Sequence, residues 1–529
     1  MHWYWWYPFL VFACPLSRGA NSQQQQQHQQ QQSIKAHLHK DATTRLHNHA
    51  RDRLAAMLSR THSVECAEEV TLAYEAFLTA HITETLLPFE STFVKNQCPR
   101  PDGNNTGVAS NDTNGPSIVH KLKEADDLHI LYIITAHRDL DQVVRLIQAL
   151  QDDAEDTRAC LLTKSGASAS SCERNHFVVH IDGKEGPLPA NLPLLTYAST
   201  SSNVYVMQEG RVNVSWGGFS VVQATLNAIS YGFYLKLPFD RVINLSGATY
   251  PLATPRQIRA TLAQHPLNEQ LMFIDPTPNV PNPRVWHYFI ECDNQMHRIA
   301  RFGLPRGVPL RTGSQWFVIS RDFAHYLLTD DNFVGPYTAY AQHILIPDEN
   351  FFATVLKSSP YCHHHCNTNY LHLTFDVWED EKGAAADPSK CLQPDPRICG
   401  RSPLLVRTEE IDHLIPRPGA DMPAEPKRET FLFARKFDSN VSVEVLDEID
   451  RRLAWQRARE RESLLAEIAA ASVAFPLGEN CGDKGCIANG CTRQDDVEGN
   501  IPPEGHVDKE MLLPSVLREH GIALESIQW

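Results

Sequence analysis

Three things are scarce in this 529-residue chain, and each scarcity narrows what it can do. Positive charge is the first: 48 Lys and Arg stand against 63 Asp and Glu, a formal net charge of −15. Nucleic acid is therefore not the expected partner, because phosphate binding needs concentrated Lys and Arg. A long apolar run is the second. Trp3 to Leu16 is uncharged and aromatic, but falls short of the about 20 residues that a spanning helix needs. Paired acids spaced for a divalent cation are the third. The single Asp-x-Asp triplet, Asp139-Leu140-Asp141, opens a helical pattern, where capping is the ordinary role of an Asp.

Cysteine, in contrast, is plentiful. The thirteen cysteines fall in local groups: Cys66 and Cys98, Cys160 and Cys172, Cys362 and Cys366, Cys391 and Cys399, and Cys481, Cys486 and Cys491, with Cys14 and Cys292 apart. Such grouping predicts short disulfide-closed loops in an oxidising compartment. The N-terminus agrees: residues 1–20 read as a signal peptide cleaved near Ala20, although its basic n-region is missing, with a short type II membrane anchor as the alternative. Formal glycosylation sequons stand at Asn104, Asn111, Asn213, Asn244 and Asn440; Asn244 lies in an apolar strand and is a poor acceptor. The chain is expected in the secretory pathway, in the Golgi or endoplasmic reticulum lumen, anchored or secreted.

Residues 21 to 33 are almost pure Gln and cannot supply a core. Helical patterning over 50 to 90 completes a stem segment, 21–125. Regular α/β patterning then fills 126–442. Ile130 to Thr135, Phe177 to Ile181, Val204 to Met207, Val242 to Leu245 and Met272 to Ile274 read as buried strands. They alternate with helices on the faces Val143, Leu146, Ile147 and Leu150, then Phe219 to Tyr231, then Ile258 and Leu262. This predicts an α/β domain with a mainly parallel sheet. Ligands of such sheets sit beyond the carboxyl ends of the strands, where His137, Arg138, Asp182, Ser246 and Gly247 fall. The Cys-bounded segment Ala159 to Arg174 reads as a surface insertion. The tail, 443–529, begins as a long charged helix from Val443 to Phe475 with Leu446, Ile449, Leu453, Leu464, Leu465 and Ile468 inward, and ends in a Cys-containing patch.

The segment from Gly313 to Leu356 carries the clearest candidate chemistry. Trp316 to Ile319 reads as a short strand entered through a Gly-Ser corner. After Pro347 the pattern predicts a helix capped by Asp348, with Phe352, Val355 and Leu356 on its apolar face and Glu349 in its first turn. Acids are favoured in any first turn by the helix dipole. A carboxylate bordering an apolar wall is also a candidate general base.

Seven motifs in order now resemble a known family: IITAHRD at 133–139, VVHID at 178–182, VSWGGFS at 214–220, INLSGATYPL at 243–252, GSQWFVISR at 313–321, PDENFFATVL at 347–356 and FARKFD at 433–438. They resemble the glycosyltransferase family of I-branching β-1,6-N-acetylglucosaminyltransferases and peptide O-xylosyltransferases. FIECDNQMHRI at 289–299, SSPYCHHHCNTNYLHLT at 358–374 and Cys399-Gly400-Arg401-Ser402-Pro403 are similar to the xylosyltransferase branch. The resemblance implies a GT-A-like fold, a UDP-sugar donor, inversion at the anomeric carbon, and transfer of xylose to a Ser hydroxyl of a protein. It further implies Glu349 as base. Arg435 and Lys436, framed by Phe431, Phe433 and Phe437, would hold the diphosphate without metal or other cofactor. Trp216, Gly217 and Gly218 would lie by the sugar, Asp182 against a sugar or nucleoside hydroxyl, and His137 and Arg138 toward the uridine. Ser246 and Thr249 would line the donor site, Gln315 and Trp316 the acceptor site. The Cys-His-His-His-Cys run at 362–366 reads as a disulfide-pinned loop.

The chain departs from the family pattern at two acids. Thr249 stands where Asp usually precedes Tyr-Pro, and Gln315 stands where the animal xylosyltransferases have Asp. The separate C-terminal domain of those enzymes is also missing. Donor and acceptor preference therefore stay open: transfer of N-acetylglucosamine or glucuronic acid to a glycan is the nearest alternative, and a catalytically silent sugar-binding relative the next.

Overall fold

The computed structural model describes residues 50–83, 97–98, 128–152, 172–265, 271–301 apart from 279 and 281, 303–376 apart from 306, 402–417 and 431–473, with side chains to 462 in the last stretch. The N-terminal signal or anchor, the Gln tract, the insertion between 153 and 171, Leu464, Leu465, Ile468 and the tail cysteines lie outside the described residues. Among the described residues no helix is long and apolar enough to cross a membrane.

A first unit, ending at Thr85, contains helical residues 50–58 and the helix Val64–Thr83. Met57, Val70 and Tyr74 are buried, whereas Leu72 is exposed.

The second unit is built on a seven-stranded sheet. β1 (Ile130–Ala136) pairs in parallel with β2 (Asn175–Ile181) and with β4 (Arg241–Ser246), and β2 pairs in parallel with β3 (Val204–Val206). β9 (Val318–Ser320) runs antiparallel between β4 and β6 (Met272–Phe273), and β10 (His365–Cys366) closes the other edge beside β6. The spatial order is β10-β6-β9-β4-β1-β2-β3. The continuous apolar runs of β1 and β2 follow from burial on both faces: Ile130, Tyr132, Ile134, Phe177 and Val179 have no exposed surface. The helices Leu140–Leu150 and Pro255–Leu262 cover this sheet through the residues their periodicity picked out, the second started by a Thr254–Gln257 capping box. The helix Ser220–Tyr234 packs with Gly232 against Leu131, where an added Cβ would come within 2.5 Å of the Leu131 side chain.

Two smaller β elements were not legible in the sequence. β5 (Thr249–Pro251), β12 (Phe433–Arg435) and β11 (Leu371–His372) form a three-stranded sheet, with Arg435 opposite Thr249. β7 (His287–Cys292) and β8 (Gln295–Arg301) form an antiparallel hairpin.

The helix Val443–Val473 is part of the same core. Leu446, Ile449 and Leu453 are buried in the cluster that contains β1, as the pattern predicts. On its polar side Arg145 bonds Asp450 (2.7 Å) and Asp447 (2.6 Å), and the Tyr250 hydroxyl donates to Asp450 at 2.6 Å. Arg457 donates to the carbonyls of Ala149 (2.7 Å) and Gln151 (3.2 Å), capping the end of the helix Leu140–Leu150.

The disulfide expectation needs correction. Cys98 is bonded to Cys362 across 264 residues, rather than to Cys66, and Cys362 is not closed onto Cys366. Cys66, Cys172, Cys292 and Cys366 are also in disulfides, so Cys292 does not stand apart. Adjacency in sequence is a poor guide here because the fold returns distant segments to the sheet edge. The 362–366 run is disulfide-pinned as expected.

Candidate active site

Parallel strands deliver their carboxyl ends to one edge, and the turns there are braced by a buried Gln. Gln142 donates to Gly247 O (2.8 Å) and Phe437 O (3.3 Å) and accepts from Ser439 N (2.7 Å). It thereby ties the turn after β4 to the residues after β12. Within that frame Ser246 Oγ accepts from Arg435 Nε at 3.2 Å.

The Arg435 guanidinium lies over the Trp316 ring, 4.8 Å from its centroid. Burial pulls its pKa down to about 10, against the opposing pull of Asp348. Among the described residues Arg435 has no ion-pair partner within contact distance. The expected frame of Phe431, Phe433 and Phe437 is replaced in that role by Trp316: Phe433 and Phe437 are core residues. Trp316 is itself only 5% exposed, so it supports the cation rather than presenting a face to an acceptor. Lys436 Nζ reaches Ser402 Oγ at 3.5 Å, and burial and Arg435 lower its pKa.

The Gly313–Trp316 corner links this cation to Glu349. Gly313 N donates to Glu349 O at 2.7 Å and Thr312 Oγ1 to the same oxygen at 2.9 Å, while three residues on Trp316 carries Arg435. Gln315, half-buried between them, accepts from Asn244 Nδ2 through its carbonyl at 3.0 Å. Asn244 is 1% exposed, in keeping with its poor standing as a glycosylation acceptor.

Glu349 is not in a helical first turn. Pro347–Glu349 form a 3-10 turn, and the following helix, Phe351–Ser358, is buried on every face rather than along one. Asp348 makes no capping hydrogen bond. Arg284 Nη1 holds Glu349 Oε2 at 2.6 Å, with the Glu349 side chain 44% exposed and Arg284 16%. Arg284 is fixed in turn by Leu345 N, which donates to its carbonyl at 3.0 Å. Asp348, beside this pair, is pushed up to about 7, by burial first and by the Glu349 charge second; Arg284 and Arg435 pull the other way. The turn is entered through Ile346 at φ 56°, costly for a β-branched residue.

The Trp216 loop meets the same turn. Ile346 N donates to Gly217 O at 2.8 Å, with Gly217 at φ 79°. A Cβ on Gly218 would lie 2.2 Å from the Glu291 carboxyl carbon, so a side chain there would push that carboxylate from its place. Glu291, from β7, accepts from Ser220 N at 3.1 Å and from the Ser220 hydroxyl. This anchoring leaves Trp216 itself 67% exposed, an apolar plate largely open among the described residues.

Residues 162–400 match the family model described as Core-2/I-Branching enzyme. Over that stretch the chain is similar to this family of glycosyltransferases. Among similar proteins, Xylosyltransferase 2 of Canis lupus familiaris is 26% identical over 413 residues, covering 76% of this chain and 41% of that protein. Xylosyltransferase 2 of Mus musculus is 30% identical over 290 residues (53% and 31%), and Xylosyltransferase 1 of Rattus norvegicus 27% over 288 (53% and 32%). The chain thus matches less than half the length of each of these relatives.

The remaining motif residues fall as follows. His137 and Arg138 are exposed just past β1. Desolvation and the cations Arg138, Lys436 and Lys184 hold His137 below its ordinary pKa, with Asp182 opposing. Arg138 pairs with Asp139 (3.2 Å) and Asp438 (3.3 Å). Asp139 occupies the cap position but, at φ 52°, forms no side-chain cap; its carboxylate accepts from Asn440 Nδ2 at 2.6 Å. Asp182 is buried and accepts from Lys184 N (3.0 Å) and Val214 N (3.2 Å) and pairs with Lys184 Nζ (3.3 Å), so much of its capacity holds its own loop. Thr249 is completely buried, its hydroxyl 3.1 Å from Ser246 Oγ. Any influence of Thr249 on a ligand passes through that turn and not through contact. Arg284, Asp348 and Glu291 are the residues that sequence reasoning missed in these roles.

Proposed function

We propose that this chain transfers a sugar, with inversion, from a UDP-sugar to a hydroxyl acceptor, and that the pair is UDP-xylose and a protein Ser. The observation that carries the reading is the Gly313–Trp316 corner, which supports the Glu349 turn at one end and the Arg435 cation at the other. Inverting transfer needs those two functions side by side. A base takes the acceptor proton as the hydroxyl oxygen attacks the anomeric carbon, and fixed positive charge receives the departing diphosphate. Glu349 is the base and Arg435 with Lys436 the cationic seat. The mainly parallel sheet with its site at the strand ends fits a GT-A-like domain, and Trp216 offers a flat face for the sugar ring. The disulfides fit a secretory-pathway lumen.

Donor hydrolysis by the purified chain across UDP-xylose, UDP-N-acetylglucosamine and UDP-glucuronic acid identifies the sugar. Glu349→Gln is expected to lower transfer by roughly 10²-fold or more while UDP still binds. Activity is expected to persist in excess chelator. Near-normal turnover in Glu349→Gln, or strict dependence on added manganese, overturns the assignment.

A further inference from the structure

Trp216 is largely exposed, yet the loop that carries it is held on every side. Gly218 N donates to Ser215 O at 3.1 Å, closing the turn around the ring. Ile346 N donates to Gly217 O at 2.8 Å, tying the turn to the segment that carries Glu349. Ser215 N, directly before Trp216, donates to the Ser220 hydroxyl at 2.8 Å. That bond fixes the direction of the next one. A hydroxyl that accepts from a backbone N–H still has its own proton to give, and the acceptor beside Ser220 Oγ is Glu291. Glu291 Oε1 takes this proton, and Oε2 takes the Ser220 N–H at 3.1 Å. Phe219, in the cap position of the helix Ser220–Tyr234, makes no side-chain cap, so Glu291 from β7 supplies one.

We infer that Glu291 is the positioning residue of the sugar face: through the Ser220 hydroxyl it sets the Ser215 amide, and with it the place of the Trp216 ring against the Glu349 turn. The inference rests on the reading of Trp216 as the surface on which the donor sugar lies. A carboxylate suits this role because both of its oxygens accept. An amide at 291 has one oxygen for two donors, and its NH2 would face either the Ser220 N–H or the hydroxyl proton. Gly218 is the steric half of the arrangement. A Cβ there would meet the Glu291 carboxyl group at 2.2 to 2.4 Å and drive it off Ser220. Glu291 therefore acts on the sugar, whereas the nucleotide is held from other elements, by Arg435 on β12 beside Ser246 on β4.

Equilibrium binding of UDP, UDP-xylose, UDP-N-acetylglucosamine and UDP-glucuronic acid, without acceptor, tests this. The quantity read is the affinity of the best-bound UDP-sugar relative to UDP. Glu291→Gln should lower that ratio about three- to tenfold and leave UDP affinity unchanged. Trp216→Ala should lower it at least as much, and Glu291→Gln added to Trp216→Ala should lower it no further. Ser220→Ala removes the relaying hydroxyl but keeps the N–H for Glu291; it should act like Glu291→Gln, and it carries the same test where that variant does not fold. Gly218→Ala should also lower the ratio, and Glu291→Asp, a methylene shorter, should recover part of it in the Gly218→Ala protein. A ratio unchanged in Glu291→Gln and Ser220→Ala, with only a lower melting temperature, makes Glu291 a helix cap and overturns the inference. A further loss in the Trp216→Ala background overturns it too, because Glu291 then acts by another route. No effect of Trp216→Ala overturns it together with the sugar-face reading. Absence of UDP and UDP-sugar binding in wild type overturns the donor reading as well.

Discussion

The two halves of the site are made in different ways. On the donor side, functional groups ride on the ends of long-range but regular elements: β1, β2 and β4 place His137, Asp182 and Ser246 at one sheet edge, and β12 adds Arg435 by pairing with β5. On the base side, Glu349 sits in a single 3-10 turn held by a few contacts from short, separate segments: Arg284 in the short helix Asn282–Val285, 65 residues away, Gly313, and the Trp216 loop through Ile346. Regular pairing spreads the cost of placing a charge over many ladder hydrogen bonds. A turn depends on few, each worth about 1 kcal/mol net, or more where a charge is involved. The difference predicts that the donor side tolerates perturbation of its surroundings, whereas the base side loses geometry when one partner is removed.

The largest effect that sharpens this comparison comes from Arg435 on the donor side. Arg435→Ala removes the cation without disturbing the ladder, since the pairing of Phe433, Ala434 and Arg435 is made through the backbone. Transfer should fall about 10²-fold, with weaker UDP binding and an unchanged melting temperature. Arg435→Lys, which keeps charge but loses the planar stacking on Trp316, should recover part of the loss. Retained UDP affinity in Arg435→Ala would place the diphosphate elsewhere.

The same contrast decided what the sequence disclosed. Strands buried on both faces announce themselves as unbroken apolar runs, and β1, β2 and β4 lie within a residue or two of where those runs put them. The long helix after β12 is likewise legible, because Leu446, Ile449 and Leu453 keep a helical period. The hairpin β7–β8 escaped, since its alternation includes buried His297 between Met296 and Arg298 and so does not read as apolar-polar. Asp348 was read as a cap because acids before an apolar helix usually are. The helix instead starts three residues later and is buried all round, so the turn was free to take another use. Arg284 had no local signal at all: it meets Glu349 from 65 residues away in sequence. Glu291 stood inside a motif already singled out, but only the closeness of Gly218 reveals why a carboxylate is there.

A smaller effect should follow on the base side. Arg284→Gln leaves Glu349 ionisable but frees its carboxylate from a 2.6 Å ion pair. Loss of orientation should cost roughly tenfold in kcat with little change in KM for the donor. A merely structural role would not predict the second readout. Arg284→Lys, keeping the charge, should recover part of the rate. An unchanged rate in Arg284→Gln would show that the turn is held by its backbone contacts alone, and the contrast between the two halves would fall.

The smallest effect concerns Gln315, where the halves meet. A neutral residue stands between Gly313, bonded to the Glu349 carbonyl, and Trp316, beneath Arg435. If Gln315 lines the acceptor site as the family resemblance implies, Gln315→Asp adds a negative charge there. At about 10 Å and an effective dielectric near that of water, like charges repel by only some tenths of a kcal/mol. Rates on Ser-containing peptides with acidic flanks should therefore fall two- to threefold relative to neutral ones. Initial rates over a peptide series differing only in flanking charge measure this, and raising the salt should erase it, because the Debye length shortens to about 3 Å at 1 M. A uniform fall across the series would assign the effect to Arg435 and the donor. No change at all would mean that the Gln315 side chain faces neither substrate, and the acceptor approach would have to be sought on the Trp216 side of the turn.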